Sequence, residues 1–366
     1  MYANVCFMNL KEHYEYLLLN PKQWEYYGQG RNDSLLYDRC NCLNRQDCSE
    51  FIKDYLKRGE KLTHHIDEIV DLLPTMRLQH TVSCFFLGID VYHNCKTLQD
   101  CINNFVLKIR TNQNNETKEN RFYYIWFLTC LFHDIGYVIE ECLIGKKELK
   151  GLLTDDRKEN NSSIKDALKY LFNNKQWRIT AYKKETIKRY LDYRKNVFIL
   201  DDHGIVGGAI LFKILCDIRE NKDNCQDDNN DLYWEIELEK DFMVASQTIA
   251  CHNIYIIGRC DKKIKFYEFY KLNELISDKR LINLHKHSLL FLLCLVDSIE
   301  PMKTIQDCIY LDKIIMGFED HKISIDINAL PAKLQQSYRK KVLDINSWLT
   351  DSKCDENDKN KIIINF

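Results

Sequence analysis

The chain has 366 residues, of which 45% are hydrophobic and 29% are charged, with only 12 Gly and 4 Pro. This composition excludes a collagen-like or wholly disordered chain, because such chains lack the apolar residues that form a core. The formal net charge of −2 excludes a protein that coats duplex nucleic acid through overall positive charge. Every uninterrupted apolar run is shorter than the roughly 20 residues of a membrane-spanning helix, so we expect no membrane insertion.

The N-terminal segment and the cysteines predict a cytoplasmic location. The first 20 residues, MYANVCFMNLKEHYEYLLLN, lack the basic region, apolar stretch and cleavage site of a secretory signal. Many of the 16 cysteines lie within apolar runs, where a reduced cysteine behaves as a small hydrophobic residue. We therefore expect free thiols in a reducing compartment.

Helical patterns dominate the first 300 residues. Mixed helical patterning covers residues 8–20 and 47–73. Four later stretches are apolar on nearly every side, which predicts helices at the centre of a bundle. These stretches are 122–132 (FYYIWFLTCLF), 205–216 (IVGGAILFKILC), 242–251 (FMVASQTIAC) and 288–296 (SLLFLLCLV).

Two charged intervals, at about 144–200 and 217–241, interrupt the apolar stretches and are predicted to be insertions. Residues 146–195 hold 15 Lys or Arg against 7 Asp or Glu, a local charge of 15 − 7 = +8. Residues 217–241 hold 3 Lys or Arg against 10 Asp or Glu, a local charge of 3 − 10 = −7. Solvated helix faces and loops explain both intervals. The functional alternative is a basic cap that draws an anionic substrate towards the core.

The pattern changes after residue 305. The β-branched residues of 314–327 predict a β-hairpin, 331–349 predicts a helix, and 351–360 (DSKCDENDKN) predicts a polar tail. We therefore divide the chain into an N-terminal helical extension (1–74), a helical metal-binding domain with insertions (75–305) and a C-terminal α+β extension with a polar tail (306–366). The predicted fold class is all-α, with the small hairpin and helix added at the C-terminus.

Polar residues with metal-ligand chemistry stand at the ends of the apolar segments. They are His80, His133, Asp134, His203, His252 and Asp297. An ionised Asp in such a place is costly unless it is paired or bound to metal, and imidazole with carboxylate suits first-row divalent metals. Six ligands are more than one tetrahedral ion binds, and they are enough for two ions that share a carboxylate. Taken singly, each His can equally be a core residue with a satisfied hydrogen bond.

This ligand series resembles that of the HD-domain superfamily of metal-dependent phosphohydrolases, in its six-ligand, two-metal form, as in HD-GYP-type phosphodiesterases. The resemblance covers about residues 75–305 and implies an all-helical HD-domain bundle. It also implies two divalent ions, with Mn, Fe, Mg, Ni and Zn as candidates. Asp134 would bridge both ions. His80, His133 and Asp297 would complete the first site, and His203 and His252 the second.

The sequence departs from the HD-GYP pattern in its motifs. Ile135-Gly136-Tyr137 follows the His-Asp pair where those enzymes have Ile-Gly-Lys, and there is no GYP tripeptide. The ligands are also more widely spaced than in the compact arrangement, mostly because of the charged intervals. The resemblance therefore implies the superfamily without implying a cyclic-dinucleotide substrate.

The implied activity is hydrolysis of a nucleotide or related phosphorylated small molecule by a metal-bridging hydroxide. Besides Asp134, we predict three catalytic residues. Arg77 precedes His80 by three residues, so on a helix it shares that face and can hold a phosphate. Tyr137 can donate a hydrogen bond in place of the missing Lys. Asn253 can orient a ligand or the substrate. An ordinary ion pair is the plain alternative for Arg77. Helix capping is the plain alternative for Asn253 and especially for Asp202, which adjoins His203. Glu300 and Lys303 are weaker candidates.

Two other functions remain open at the level of sequence. The same ligand types are similar to those of HD-type di-iron oxygenases such as myo-inositol oxygenase, and ligand identity does not separate the two activities. The second alternative is a nucleotide-responsive regulatory protein without turnover, suggested by the charged intervals and by an aromatic N-terminal region. In all three interpretations the partner is a phosphorylated or other small molecule rather than duplex nucleic acid or a membrane, and self-association into a homo-oligomer is left open.

Overall fold

The computed structural model of the protein describes residues 8–24, 45–55, 70–71, 73–109, 117–137, 162–174, 177, 181–223, 237–254, 261–275, 282–355 and 361–366. Within these ranges the chain forms thirteen α-helices and five short strands. The prediction of a mainly helical protein is confirmed. The expectation of an all-α fold needs amendment, because the strands join into one sheet.

The helices are α1 (Leu10–Leu19), α2 (Arg45–Tyr55), α3 (Thr75–Asn94), α4 (Lys96–Ile109), α5 (Lys118–Phe132), α6 (Ser162–Asn173), α7 (Lys184–Tyr193), α8 (His203–Asp223), α9 (Leu238–Cys251), α10 (Asp261–Phe269), α11 (Ser288–Ile299), α12 (Met302–Ile305) and α13 (Ala332–Leu343). The strands are β1 (Met8–Asn9), β2 (Ile315–Glu319), β3 (Lys322–Asp326), β4 (Lys353–Asp355) and β5 (Lys361–Asn365).

The four apolar stretches predicted to be central helices lie within α5, α8, α9 and α11, and their side chains are buried. Helix α5 packs against α3 and α9, and α9 packs against α8 and α11. A helix that is apolar on every side is stable only when neighbours cover every side. This arrangement confirms the prediction of a bundle with these helices at its centre.

Two glycines let backbones approach closely beside the predicted ligands. A Cβ atom on Gly208 would lie 2.3 Å from the carbonyl oxygen of Ser246, so α8 and α9 are in backbone contact there. A Cβ atom on Gly136 would lie 1.9 Å from the carbonyl oxygen of His203. Any larger residue at position 136 would therefore push the end of α5 away from the start of α8.

The sheet is antiparallel, in the order β1-β2-β3-β5-β4. Strands β2 and β3 form the predicted hairpin, and α13 lies within the predicted helix 331–349. The prediction of a polar tail over 351–360 is wrong for its described part, because Lys353–Asp355 forms β4 and pairs with β5. The physical reason is that Cys354 faces the core together with Ile362 and Ile364 of β5.

The described parts of the charged intervals include an amphipathic helix, α6. In α6 the lysines Lys165 and Lys169 are exposed, whereas Ala167 and Leu171 are buried, and the helix packs against α8. This agrees with the interpretation of solvated helix faces. Residues 144–161, 175–176, 178–180 and 224–236 of these intervals lie outside the described ranges.

Two further expectations concern the whole chain. Each cysteine for which the structure describes a side chain is a free thiol. Within the described ranges, no helix is both long enough and apolar enough to cross a bilayer.

Candidate metal centre

The six predicted ligands converge on one region at the ends of five helices. They are His80 in α3, His133 and Asp134 directly after α5, His203 at the start of α8, His252 directly after α9 and Asp297 near the end of α11. Apart from Asp297, these residues are at most 3% exposed. The side chain of Asp297 is 20% exposed, so the cluster faces solvent on its Asp297 side.

The first group of donor atoms contains His80, His133 and Asp297, and it also includes the thiol of Cys84. Nε2 of His80 lies 3.0 Å from Oδ1 of Asp297 and 3.2 Å from Nε2 of His133. Sγ of Cys84 lies 3.5 Å from Nε2 of His80. One cation at the centre of this group would be within reach of both imidazoles and the carboxylate.

The second group contains Asp134, His203 and His252. Oδ1 of Asp134 lies 3.9 Å from Nε2 of His203 and 3.4 Å from Nε2 of His133. Oδ2 of Asp134 lies 3.8 Å from Nε2 of His80. Asp134 therefore stands between the two groups, which is the position expected of a carboxylate shared by two ions.

Backbone carbonyls fix the orientation of two of the imidazoles. Nδ1 of His133 donates a hydrogen bond to the carbonyl oxygen of Cys130 at 2.7 Å. Nδ1 of His252 donates to the carbonyl oxygen of Ile249 at 2.6 Å. A carbonyl oxygen only accepts, so the proton of each neutral ring is on Nδ1 and the lone pair of Nε2 points into the cluster.

Glu300 fixes the orientation of the His80 imidazole. Its Oε2 accepts a short hydrogen bond from Nδ1 of His80, and its Oε1 accepts from the hydroxyl of Ser83 at 2.7 Å and from the backbone N–H of Met302 at 2.9 Å. The carboxylate is held from three sides, so it orients the His80 ring with Nε2 facing His133 and Asp297.

Nε2 of His80 and Nε2 of His133 face each other, and a positive charge between them would stabilise the arrangement. In the neutral tautomers, Nε2 of His80 and Nε2 of His133 are both acceptors, yet they lie 3.2 Å apart in a fully buried site. Buried acceptors without a donor or cation between them are costly. Four imidazoles and two carboxylates are a donor set that suits first-row divalent metals, so these residues could hold metal ions.

Burial sets the protonation state of the two carbonyl-bonded imidazoles. It lowers the pKa of His133 to about 4. Burial, together with the neighbouring His203 and His133, lowers the pKa of His252 to about 3. Both rings are therefore neutral at pH 7, which is the state in which imidazole binds a metal.

The two carboxylates of the cluster stay ionised. Burial acts to raise the pKa of Asp134 and of Asp297, but Lys303 and the neighbouring imidazoles hold both pKa values well below the usual range. Nζ of Lys303 lies 2.7 Å from Oδ1 of Asp297 and 3.3 Å from Oδ2 of Asp134. The lysine therefore joins the same two carboxylates that the sequence predicted as ligands.

Arg77 and Tyr137 border the second donor group. Nη1 of Arg77 lies 3.1 Å from Oδ2 of Asp134, and its guanidinium lies over the Tyr137 ring at 3.5 Å from the ring centroid. The Tyr137 ring stacks on His203 at a centroid distance of 3.8 Å. Arg77 thus makes the ion pair considered as its plain alternative, and Tyr137 contacts the site through its ring face.

Asn253 follows His252 and bonds to Asp202, the residue before His203; both histidines are predicted ligands. Its Nδ2 donates to Oδ2 of Asp202 at 3.2 Å, while Oδ1 of Asp202 accepts from the backbone N–H of Ile205 at 3.0 Å. Asp202 therefore caps the N-terminus of α8, as the plain alternative proposed. Asn253 connects this cap to the end of α9.

The structure brings three residues into the centre that sequence reasoning ranked low or left out: Cys84, Glu300 and Lys303. Cys84 follows His80 by four residues and Glu300 follows Asp297 by three, the spacings that place side chains on one helix face. That signal was present in the sequence. Lys303 lies after the turn that ends α11, so its approach depends on tertiary structure.

Comparisons of this chain with protein-family models, with curated proteins and with solved structures gave no match. The fold and the site together define a mostly helical protein with a buried His/Cys/Asp cluster that could bind metal.

Proposed function

We propose that the protein is a metal-dependent phosphohydrolase or phosphodiesterase of the HD-domain type, acting on a nucleotide or related phosphorylated small molecule. The observation that carries this proposal is the position of Asp134. Its carboxylate lies between two groups of metal-ligand atoms and also contacts two side-chain cations, Arg77 and Lys303. A shared carboxylate suits a pair of ions, and adjacent cations suit an anionic substrate.

When bound, two divalent ions would supply an activated water near neutral pH and would neutralise charge on phosphate oxygens. The chain's own contribution is to hold its ligands in place before the substrate arrives. The carbonyl bonds of His133 and His252 and the Glu300 bond of His80 each fix an imidazole with Nε2 directed inwards. Such support reduces the reorganisation that accompanies the reaction.

Lys303 and Arg77 are the residues that we assign to the phosphoryl group. Their side chains are 20% and 12% exposed, in contrast to the fully buried Asp134 that they contact. Both cations thus lie between the buried carboxylate and solvent, on the side from which a substrate would enter. A guanidinium can bind two phosphate oxygens at once, and an ammonium adds a point charge.

The test begins with elemental analysis of protein purified without added metal, followed by a hydrolysis screen over linear nucleotides, cyclic nucleotides and sugar phosphates. We expect about two metal equivalents per chain and release of phosphate or a phosphate monoester. Asp134→Asn should abolish turnover and reduce the bound metal, while circular dichroism shows that the fold persists.

Asp90→Asn is the matched control, because Asp90 is a buried carboxylate on α3 that pairs with His13 outside the cluster. This variant should keep its metal and its turnover. Full activity in Asp134→Asn would overturn the proposal. A protein that binds two metal equivalents but hydrolyses none of these phosphates would also overturn it. Oxygen consumption by such a protein after loading with iron would identify it as an oxygenase.

A further inference from the structure

A second pair of reactive side chains lies apart from the metal centre. Sγ of Cys101 in α4 lies 3.1 Å from Nδ1 of His285, in the segment that leads into α11. At this distance a thiol donates a hydrogen bond to an imidazole nitrogen. A cysteine beside a base is the arrangement that activates sulfur as a nucleophile.

The pair lines a pocket of about 620 Å³, a size that accommodates a small-molecule ligand. Phe105 and Ile109 supply apolar surface, and Lys108 and Lys286 supply two ammonium groups. The ligand that complements this lining has an aliphatic body and carries negative charge.

The proton of the pair resides on sulfur at neutral pH. Burial, with the nearby carboxylates of Asp100 and Asp351, raises the pKa of the Cys101 thiol. The thiol therefore depends on a neighbouring acceptor to lose its proton, and Nδ1 of His285 is placed to take it. His285 is exposed, so solvent reaches its ring.

We propose that Cys101 is a thiol–disulfide exchange site for a small anionic disulfide of the glutathione type. His285 takes the proton of Cys101 while sulfur attacks one sulfur of the disulfide. A new S–S bond forms at Cys101 as the S–S bond of the ligand breaks, and the departing thiolate receives the proton from His285. Lys108 and Lys286 bind the carboxylates of the ligand. Each step balances, because the disulfide itself is the oxidant.

Cys308 provides an internal reference. Among the cysteines whose side chains the structure describes, Cys101 and Cys308 are the two that are partly rather than fully buried. If exposure alone determined the rate of reaction with a disulfide, Cys101 and Cys308 would therefore react at similar rates. Selective reaction at Cys101 would point to its imidazole partner and its pocket.

The experiment treats the full-length protein under native conditions with glutathione disulfide, quenches the reaction with acid, and measures the occupancy of each cysteine by peptide mass spectrometry. We expect Cys101 to react about tenfold or more faster than Cys308. His285→Gln should slow Cys101 about tenfold at pH 7 and leave the rate of Cys308 unchanged. Equal rates at the two cysteines, or an unchanged rate at Cys101 in His285→Gln, would overturn the proposal.

A neutral reagent tests the anionic nature of the ligand. The double variant Lys108→Gln/Lys286→Gln should react more slowly at Cys101 with glutathione disulfide but at an unchanged rate with 2-hydroxyethyl disulfide, which carries no charge. Equal slowing with both reagents would overturn the assignment of the two lysines. Circular dichroism of each variant verifies that the native fold is retained.

Discussion

Two sets of buried carboxylates in this protein are neutralised in different ways. Asp241 in α9 faces Arg121 in α5 at 3.0 Å, and both side chains are completely buried. Asp134 and Asp297 instead lie beside Lys303, Asp134 also pairs with Arg77, and imidazoles surround both carboxylates. The first arrangement is an ion pair that joins two helices. The second brings carboxylates, cations and imidazole nitrogens together, and its donor set could hold metal ions.

The largest expected effect comes from breaking the ion pair of Arg121 and Asp241. Arg121→Met removes the guanidinium from the buried carboxylate of Asp241, and we expect the free energy of unfolding to fall by about 3–5 kcal/mol. Chemical denaturation measures this loss. The bound metal per folded chain should stay unchanged, because the pair lies outside the metal centre.

The double variant Arg121→Met/Asp241→Leu tests the physical reason. With both charges gone, most of the lost stability should return, since the cost of the single variant is an uncompensated buried charge. A double variant as unstable as Arg121→Met would instead indicate that the packing of the arginine side chain matters more than its charge.

The second expected effect concerns the shared lysine of the metal centre. Lys303→Gln removes a positive charge that we assign to the phosphoryl group, and kcat/KM for the phosphate substrate should fall by about 10²-fold. Lys313→Gln is the control, because Lys313 lies over the ring of Tyr310 outside the centre. Similar losses in the two variants would argue against a specific role for Lys303.

A smaller effect is expected at Tyr137, whose ring lies between Arg77 and His203. Tyr137→Phe keeps the stacked ring and should retain hydrolysis within about threefold of the wild type. Tyr137→Ala removes the surface on which the guanidinium rests, and we expect about a tenfold rise in KM. If Tyr137→Phe lost as much activity as Tyr137→Ala, the contribution of Tyr137 would come from its hydroxyl group, as predicted from the sequence.

A third buried carboxylate, Asp90, pairs with a group that titrates. Nδ1 of His13 lies 2.6 Å from Oδ2 of Asp90, and Nε2 of His13 lies 3.2 Å from the carbonyl oxygen of Met316. Burial acts to lower the pKa of His13, but the hydrogen bond and charge of Asp90 outweigh it, so the pKa is raised above 6.5. His13 is thus a cation in the folded protein at mildly acidic pH.

Because the folded pKa exceeds the unfolded value, this pair contributes its full stability below about pH 6.5 and loses it as the pH rises through the folded pKa. Urea unfolding at a series of pH values from 6 to 9 should show this decline in the wild type. Asp90→Asn should flatten the decline over the same range. An identical pH dependence in the two proteins would remove His13 as its source.

The ligand series could be predicted from sequence because each member stands at the end of an apolar run. Those runs identify buried helices, and a buried His or Asp at the end of one is conspicuous. The structure groups His80, Cys84, His133 and Asp297 in one set of donor atoms and Asp134, His203 and His252 in another. Which of these residues bind metal stays a prediction. The metals and the reaction remain proposals.

Other parts depended on contacts that no local pattern encodes. Lys303 reaches Asp134 across 169 residues of chain, an approach that no local spacing indicates. Strand β1 is two residues long and pairs with β2 far along the sequence, so its own residues carry almost no strand signal. Strand β5, with the sequence KIIIN, did carry such a signal; its polar neighbours obscured it.

The pairing of His13 with residues near the C-terminal end of the chain has a consequence for biosynthesis. The carbonyl of Met316 that His13 contacts lies 303 residues further along the chain. At roughly 5–20 residues per second, a ribosome needs on the order of 15–60 s to cover that interval. The contact between His13 and Met316 must wait through this period, although α1 can already pack on α3 through Tyr14, Ser83 and Phe86. Asp297 and Glu300 are translated near the end of the same interval, so the cluster of candidate metal ligands is incomplete until both residues have been added to the nascent chain.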